Sequence, residues 1–272
     1  MPLALSRDPL LYNLSLTCRR SALRFRAVRL VLIAAAFSAC RTSGDKDARP
    51  AVRVAPILLF TGTGASPGDV EAIETILRSE QLGYATVDSL QLNTLNESQI
   101  RQYRLLIVPG GNFEQIGNSL TSNAAKNIRS VVRSGVNYLG ICAGAFFAGN
   151  SPYNGLNLTA GTRFGFYSAE ARGIRKAPVA ITTAEGVTLD QYWEDGPELA
   201  GWGAVVGKYP DGTPAIVEGT SGEGWIILTG VHPEAPESWQ HGMNFRTPVN
   251  LNNAYAATLI RAALNRRLLP HY

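Results

Sequence analysis

The first half of the chain alternates apolar strand patterns with helical ones. The continuous apolar run at 54–60 is typical of a parallel strand covered on both faces, and "RLLIVPGG" (104–111) is predicted as another strand. Residues 84–89 and 136–141 have strand patterns too, and the segment that starts at Ser66 has apolar residues at helical spacing. Strand–helix–strand repetition predicts a parallel, doubly wound α/β sheet.

The second half has a different pattern. Beyond Gly149, short β-rich pieces are separated by Gly, Pro and Asp, which predicts antiparallel hairpins added to the sheet. The chain closes with the amphipathic segment "NAYAATLIRAALNRRLL", which predicts a helix. We expect one domain over residues 53–272.

Residues 1–39 are similar to a bacterial lipoprotein signal. An arginine-rich stretch precedes the ten apolar residues "LVLIAAAFSA", which are too few to cross a bilayer, since a spanning helix needs roughly 20. The small residues before Cys40 predict lipidation of that cysteine, with simple cleavage as the alternative. Residues 40–52 would then form a tether. We therefore expect an exported protein, held by lipid on the periplasmic side of the cell envelope.

The net charge of +4 lies in this leader. Of 25 basic and 21 acidic residues, six arginines and one aspartate fall within 1–39, which leaves 19 basic and 20 acidic residues beyond it. No basic stripe remains for a polyanion, so nucleic acid is not an expected partner.

Cys142 interrupts "NYLGICAGAFFAG", where a strand pattern runs into a small-residue helix. Small neighbours are what a sharp nucleophile elbow requires, and N–H groups at a helix start favour the reactive thiolate. The alternative is that the cysteine is a small buried apolar residue. Because Cys18 lies in the leader and Cys40 would carry lipid, Cys142 is the remaining thiol.

His232 and Glu234 supply a matching base and carboxylate. The histidine follows the strand "GWIILTG", at the edge where open α/β sheets bind ligands. A carboxylate two residues later can fix the imidazole tautomer, as the third member of a triad does. A loop histidine beside a solvated glutamate is the alternative.

Backbone donors for an oxyanion are predicted at two places. Ala143 directly follows the cysteine, and Gly111 lies in "VPGGN" after a strand, next to Gly110 and Asn112 as candidate substrate contacts. In "QYWEDGPE" (191–198), Tyr192 and Asp195 are candidates for a pocket wall; a strand ending in a turn is the alternative. No cofactor and no metal are expected, because apart from His232 with Glu234 no pair has metal-ligand spacing.

The motifs "GICAGA", "VPGG" and "GVHPE" resemble the class I glutamine amidotransferase-like superfamily, which uses a Cys-His-Glu triad. "YLGICAGAFFAG", "YWEDGPE" and "GVHPEAPESW" are most similar to the N-terminal domain of biotin–protein ligases and its free-standing bacterial relatives. This resemblance implies a mostly parallel, flavodoxin-like sheet. It also implies Cys142 as nucleophile, His232 as base and Glu234 as orienting carboxylate, with Gly111 and Ala143 as oxyanion donors. Phe146 departs from the glutamine that glutaminases of the superfamily usually carry four residues after the cysteine.

Two functions follow as hypotheses. The first is an envelope-anchored thiol hydrolase that acts on an amide or related acyl bond of a small molecule or peptide. The second is a binding module on the same fold that has lost the reaction.

Overall fold

The computed structural model describes residues 55–272, and a nine-stranded mixed sheet organises them. A two-stranded sheet lies outside it. The strands in chain order are β1 (Ile57–Phe60), β2 (Tyr84–Val87), β3 (Leu105–Val108), β4 (Asn137–Ile141), β5 (Gly165–Phe166), β6 (Lys176–Thr183), β7 (Thr188–Glu194), β8 (Pro197–Glu198), β9 (Ala204–Lys208), β10 (Pro214–Ser221) and β11 (Gly224–Thr229).

The large sheet has a parallel half and an antiparallel half. Its strand order is β2-β1-β3-β4-β11-β10-β9-β6-β7. The first five strands pair in parallel, and the pairs from β11 to β7 are antiparallel. The predicted α/β class with added hairpins is confirmed. One detail differs from a simple addition, because β11 closes a hairpin with β10 and also serves as the fifth parallel strand.

Helices cover both faces of the sheet. They are α1 (Pro67–Ser79), α2 (Ser89–Thr94), α3 (Glu97–Ile100), α4 (Phe113–Ser119), α5 (Ser122–Arg133), α6 (Ala143–Ala148) and α7 (Val249–Asn265). Alternate residues of β1 belong to different cores: Ile57 and Leu59 pack with α1 and α7, and Leu58 and Phe60 pack with α2 to α6. This alternation is what a strand covered on both sides requires.

Several sequence predictions lie outside the described residues. These are the signal peptide at 1–39, lipidation of Cys40 and the tether at 40–52. Residues 55–272 lie within a single compact unit. Within those residues, no helix is both long enough and apolar enough to span a bilayer.

Candidate active site

One cavity of about 680 Å³ opens where the parallel strands end. Its lining includes residues that follow β1, β3, β4 and β11, because the carboxyl ends of parallel strands meet at one edge of a sheet. Both Cys142, directly after β4, and His232, shortly after β11, line it. The volume is in the range typical of small-molecule sites, roughly 300–1,000 Å³.

Cys142 occupies a strained corner between β4 and α6. Its φ is 48° and its ψ is −101°, in a region that non-glycine residues rarely adopt and that is enriched at functional sites. The turn is tight because Gly144 lies against the carbonyl of Val108, where a Cβ would collide. The residue is only 5% exposed, yet it borders the cavity, and its Sγ lies 3.5 Å from the carbonyl oxygen of Glu194.

His232 is held by backbone and aromatic contacts. The backbone N–H of His232 donates to the carbonyl of Tyr192 at 2.8 Å, which ties the segment after β11 to β7. The imidazole lies edge-on to the rings of Tyr192 and Trp239, with centroid separations of 5.8 Å in both cases. Ring orientation is therefore fixed on two sides.

Two carboxylates converge on one nitrogen of this ring. Nδ1 of His232 lies 3.0 Å from Oε1 of Glu234 and 2.9 Å from Oδ1 of Asp69. All three side chains are almost completely buried. The predicted partner, Glu234, is in contact with the imidazole. Asp69 was not predicted as a site residue, and it comes from the first turn of α1, whose N-cap is Ser66.

The charges of this cluster shift its pKa values in a connected way. Burial alone would lower the pKa of His232, but the charges of Cys142, Asp69 and Glu234 raise it well above its ordinary value. Burial raises the pKa of Glu234, and nearby Asp69 adds to that effect against the opposing influence of His232. Burial also acts to raise the pKa of Asp69, but the contacts with His232 outweigh it and the pKa is lowered.

The predicted oxyanion donors lie at the same cavity. Gly111, with φ of 135°, and Ala143 both line it, as does Asn112. The loop after β3 is fixed by hydrogen bonds from Ser66 N to Gly110 O and from Asn112 N to Gly64 O. Neither bond uses the N–H group of Gly111 or of Ala143. Gly110 does not line the cavity, because it packs directly behind Asp69 and His232.

The residues predicted for a pocket wall lie in the last part of β7 and directly after it. Tyr192 and Asp195 line the cavity, whereas Trp193 between them is completely buried in the core. The Tyr192 hydroxyl donates to the Glu194 carboxylate at 2.5 Å, and burial together with this bond raises the pKa of Tyr192. Asp195, with φ of 45°, pairs with Arg175 at 2.5 Å.

The same three buried groups could hold a cation. One ligand atom from each of Asp69, His232 and Glu234 lies within 4.8 Å of the others. Only His232 and Glu234 of these three groups have metal-ligand spacing along the sequence. Nδ1 of His232 is hydrogen-bonded to Oε1 of Glu234 at 3.0 Å, whereas Oδ1 of Asp69, 2.9 Å from the same nitrogen, and Oε2 of Glu234 are buried without a hydrogen-bond partner among the described residues.

Comparison with known proteins gives a family match. Residues 55–175 match the family model described as "Biotin-protein ligase, N terminal", which confirms the resemblance carried by the motifs. The matched segment includes Cys142 and ends before His232. No match was found among curated proteins.

The solved structures that align with this chain are distant from it in sequence. An exo-β-1,4-mannosidase from Opitutaceae bacterium strain TAV5 has a TM-score of 0.50 and 14% identity, over 77% of this chain and 36% of that one. A β-galactosidase from the Antarctic haloarchaeon Halorubrum lacusprofundi has a TM-score of 0.45 and 17% identity, over 77% of this chain and 30% of that one. The chain therefore spans about a third of these glycosidases, and the likeness to the mannosidase concerns the fold alone.

Proposed function

We propose that this protein, of which residues 55–175 match the family model described as "Biotin-protein ligase, N terminal", is a thiol hydrolase that cleaves an amide or related acyl bond. The observation that carries the proposal is a cavity bordered by both Cys142 and His232, with two buried carboxylates on the far nitrogen of the imidazole.

The proposed reaction has two steps. Sγ of Cys142 attacks the carbonyl carbon and forms a C–S bond while the C–N bond breaks, and His232 passes the thiol proton to the departing amine. Water then attacks the thioester, which yields a carboxylic acid and restores the thiol. N–H groups of Gly111 and Ala143 would stabilise the oxyanion in both steps, each by a few kcal/mol.

Glu234 and Asp69 have the role of positioning residues in this mechanism. Glu234 accepts the hydrogen bond from Nδ1 of His232, and the carboxylate of Asp69 lies 2.9 Å from the same nitrogen, which leaves Nε2 as the ring nitrogen that exchanges the proton. Their negative charges favour the imidazolium that forms when the thiol is deprotonated.

The finer fold assignment belongs to the same proposal. We assign the parallel half to the doubly wound, flavodoxin-like type that is usual for the glutamine amidotransferase-like superfamily. In support, the parallel strands taken in chain order have the spatial order 2-1-3-4-5, which is the flavodoxin order.

The cellular setting is proposed from the sequence of residues 1–40 alone. A leader with a ten-residue apolar run that ends in "FSAC" would direct export and lipidation of Cys40. The hydrolase would then act at the periplasmic side of the envelope, where an amide of a small molecule or peptide is the substrate.

A catalytically silent binding module is the second candidate. It is favoured by the low exposure of Cys142 and by the contact of its Sγ with the carbonyl oxygen of Glu194, which gives the thiol proton an internal acceptor. The cavity would be retained under this view, and the thiol would be part of its wall.

Alkylation of Cys142 separates the two functions. With iodoacetamide at neutral pH and peptide mapping by mass spectrometry, we expect modification of the folded protein, slowed about tenfold or more in His232→Ala. His271→Ala is the matched control, because that histidine is exposed and lies outside the cavity. Modification that requires denaturant, or an equal rate in His232→Ala, would rule out the hydrolase.

A further inference from the structure

Three phenylalanines form a continuous wall of the cavity, which we call the phenylalanine wall: Phe113, Phe146 and Phe166. The rings of Phe113 and Phe146 stack at a centroid distance of 4.6 Å and an interplanar angle of 26°. The ring of Phe166 packs on both, at 4.9 Å from Phe146 and 6.3 Å from Phe113. These separations lie in the range of favourable aromatic pairs.

The wall stands beside the nucleophile. Phe146, in α6, lines the same cavity as Cys142, which precedes that helix. Phe166 belongs to the short strand β5 and is 44% exposed, which is unusual for a side chain of this size. An exposed ring that extends a buried aromatic pair into a cavity offers apolar surface to a ligand.

Arg175, Glu194 and Asp195 of the cavity lining have polar partners, whereas Glu114 and Lys176, which also line the cavity, have no ion pair among the described residues. Arg175 pairs with Glu170 at 3.0 Å and with Asp195 at 2.5 Å. The carboxylate of Glu194 accepts the hydroxyl of Tyr192. The phenylalanine wall is the continuous aromatic part of the lining, and a substrate can cover it without breaking these pairs.

We infer that the substrate carries an aromatic or similarly flat apolar acyl group, which lies on the phenylalanine wall while Cys142 attacks its carbonyl carbon. This inference rests on the proposed hydrolase function and names the substrate class for it. A polar, charged acyl group such as that of glutamine would gain no hydrogen bond from these three rings and would lose part of its hydration.

A series of p-nitroanilides with one leaving group tests the inference by turnover. We expect kcat/KM to be at least about tenfold higher for the phenylacetyl than for the acetyl or γ-glutamyl compound. Phe166→Ala should reduce the phenylacetyl-to-acetyl ratio by about 2- to 10-fold, the range that one aromatic contact supplies. Leu90→Ala, at an 80% exposed residue outside the cavity, is the matched control and should leave the ratio unchanged.

Amide binding to the Cys142→Ala variant, which lacks the nucleophile, tests the ligand class without any turnover. We expect calorimetry to detect phenylacetamide binding more tightly than acetamide or L-glutamine, with the advantage reduced in the Cys142→Ala, Phe166→Ala double variant. If no anilide is cleaved and this preference is present, the hydrolase function fails and the aromatic ligand class stands. Equal binding of phenylacetamide and acetamide, or a preference for L-glutamine, would overturn the inference even if Cys142 proves reactive.

Discussion

Oδ1 of Asp69 lies 2.9 Å from Nδ1 of His232, the nitrogen that also lies 3.0 Å from Oε1 of Glu234. One N–H group therefore faces two buried carboxylates. Two such charges this close cannot both be fully ionised without cost, which is why the pKa of Glu234 is raised by burial and by Asp69. The pKa of Asp69 is lowered instead, since its contacts with His232 outweigh its burial.

This sharing predicts redundancy between the two carboxylates. Either one can accept the Nδ1 proton and balance the imidazolium, so Asp69→Asn and Glu234→Gln should each slow alkylation of Cys142 by about tenfold or less. In the double variant, the alkylation rate should fall by a larger factor than the product of the two single-variant factors, because no carboxylate then remains at the ring. Rate constants for iodoacetamide across the four proteins measure this coupling. Strictly multiplicative effects would contradict the shared arrangement.

Asp69 shows what sequence reasoning missed and why. An acid in the first turn of a helix is explained by the helix dipole alone, so the position of Asp69 in the sequence does not by itself indicate a site. A signal was present, since Asp69 precedes Ile73 by four residues and Ile76 by seven, so a carboxylate lies on the buried apolar stripe of the helix. Its meeting with His232 depends on the packing of α1 against the sheet, which no local pattern specifies.

The fold was predictable where the pattern was long and periodic. The strands β1, β3 and β4 and the helix α1 match the predicted segments within a few residues. Helices α2 and α3 were not predicted, because six and four residues are too short to show a period, although both have capping boxes: Asp88 with Gln91, and Asn96 with Gln99. The parallel pairing of β11 with β4 was also beyond reach, since it joins distant segments.

The raised pKa of His232 predicts a pH-dependent stability. In the unfolded chain the pKa of this histidine is about 6.5. Below that pH, the contribution of His232 to the free energy of unfolding is fully present. Between that value and the higher folded pKa, the folded state holds one more proton, so this group lowers the free energy of unfolding by about 1.4 kcal/mol per pH unit as pH rises. In Asp69→Asn the decline should level off at a lower pH, because one of the charges that raise the pKa is gone.

Urea unfolding from pH 6 to pH 9 measures this effect. His241→Gln is the matched control, since this histidine is exposed and lacks the carboxylate contacts, and it should reproduce the wild-type profile. A wild-type stability that rises with pH across this window, or an Asp69→Asn profile identical to wild type, would argue against a protonated His232 in the folded protein.

Lipidation of Cys40 is a separate prediction from the leader. Expressed in a bacterial host with labelled palmitate, the full chain should incorporate label and fractionate with membranes. Cys40→Ala should lose the label and leave the membrane fraction, because the thiol is the expected attachment point. Cys18→Ala, which changes a cysteine within the leader, is the control and should keep the label. Label retained in Cys40→Ala would mean that another group is acylated.

A substitution at Gly110 tests how closely the site is packed. A Cβ at this position would collide with Oδ1 of Asp69 and come within 2.5 Å of Cε1 of His232. Gly110→Ala must therefore displace the carboxylate or the imidazole, with a loss of about 1–3 kcal/mol in unfolding free energy, which is typical of overpacking. We also expect alkylation of Cys142 to slow by about tenfold, because the base is moved.

Gly165→Ala is the matched control: a Cβ there meets nothing within 4 Å, so stability should change by less than about 0.5 kcal/mol and the alkylation rate should be preserved. If Gly110→Ala alkylates as fast as wild type, then the imidazole at this position does not activate the thiol, whatever the stability of the variant.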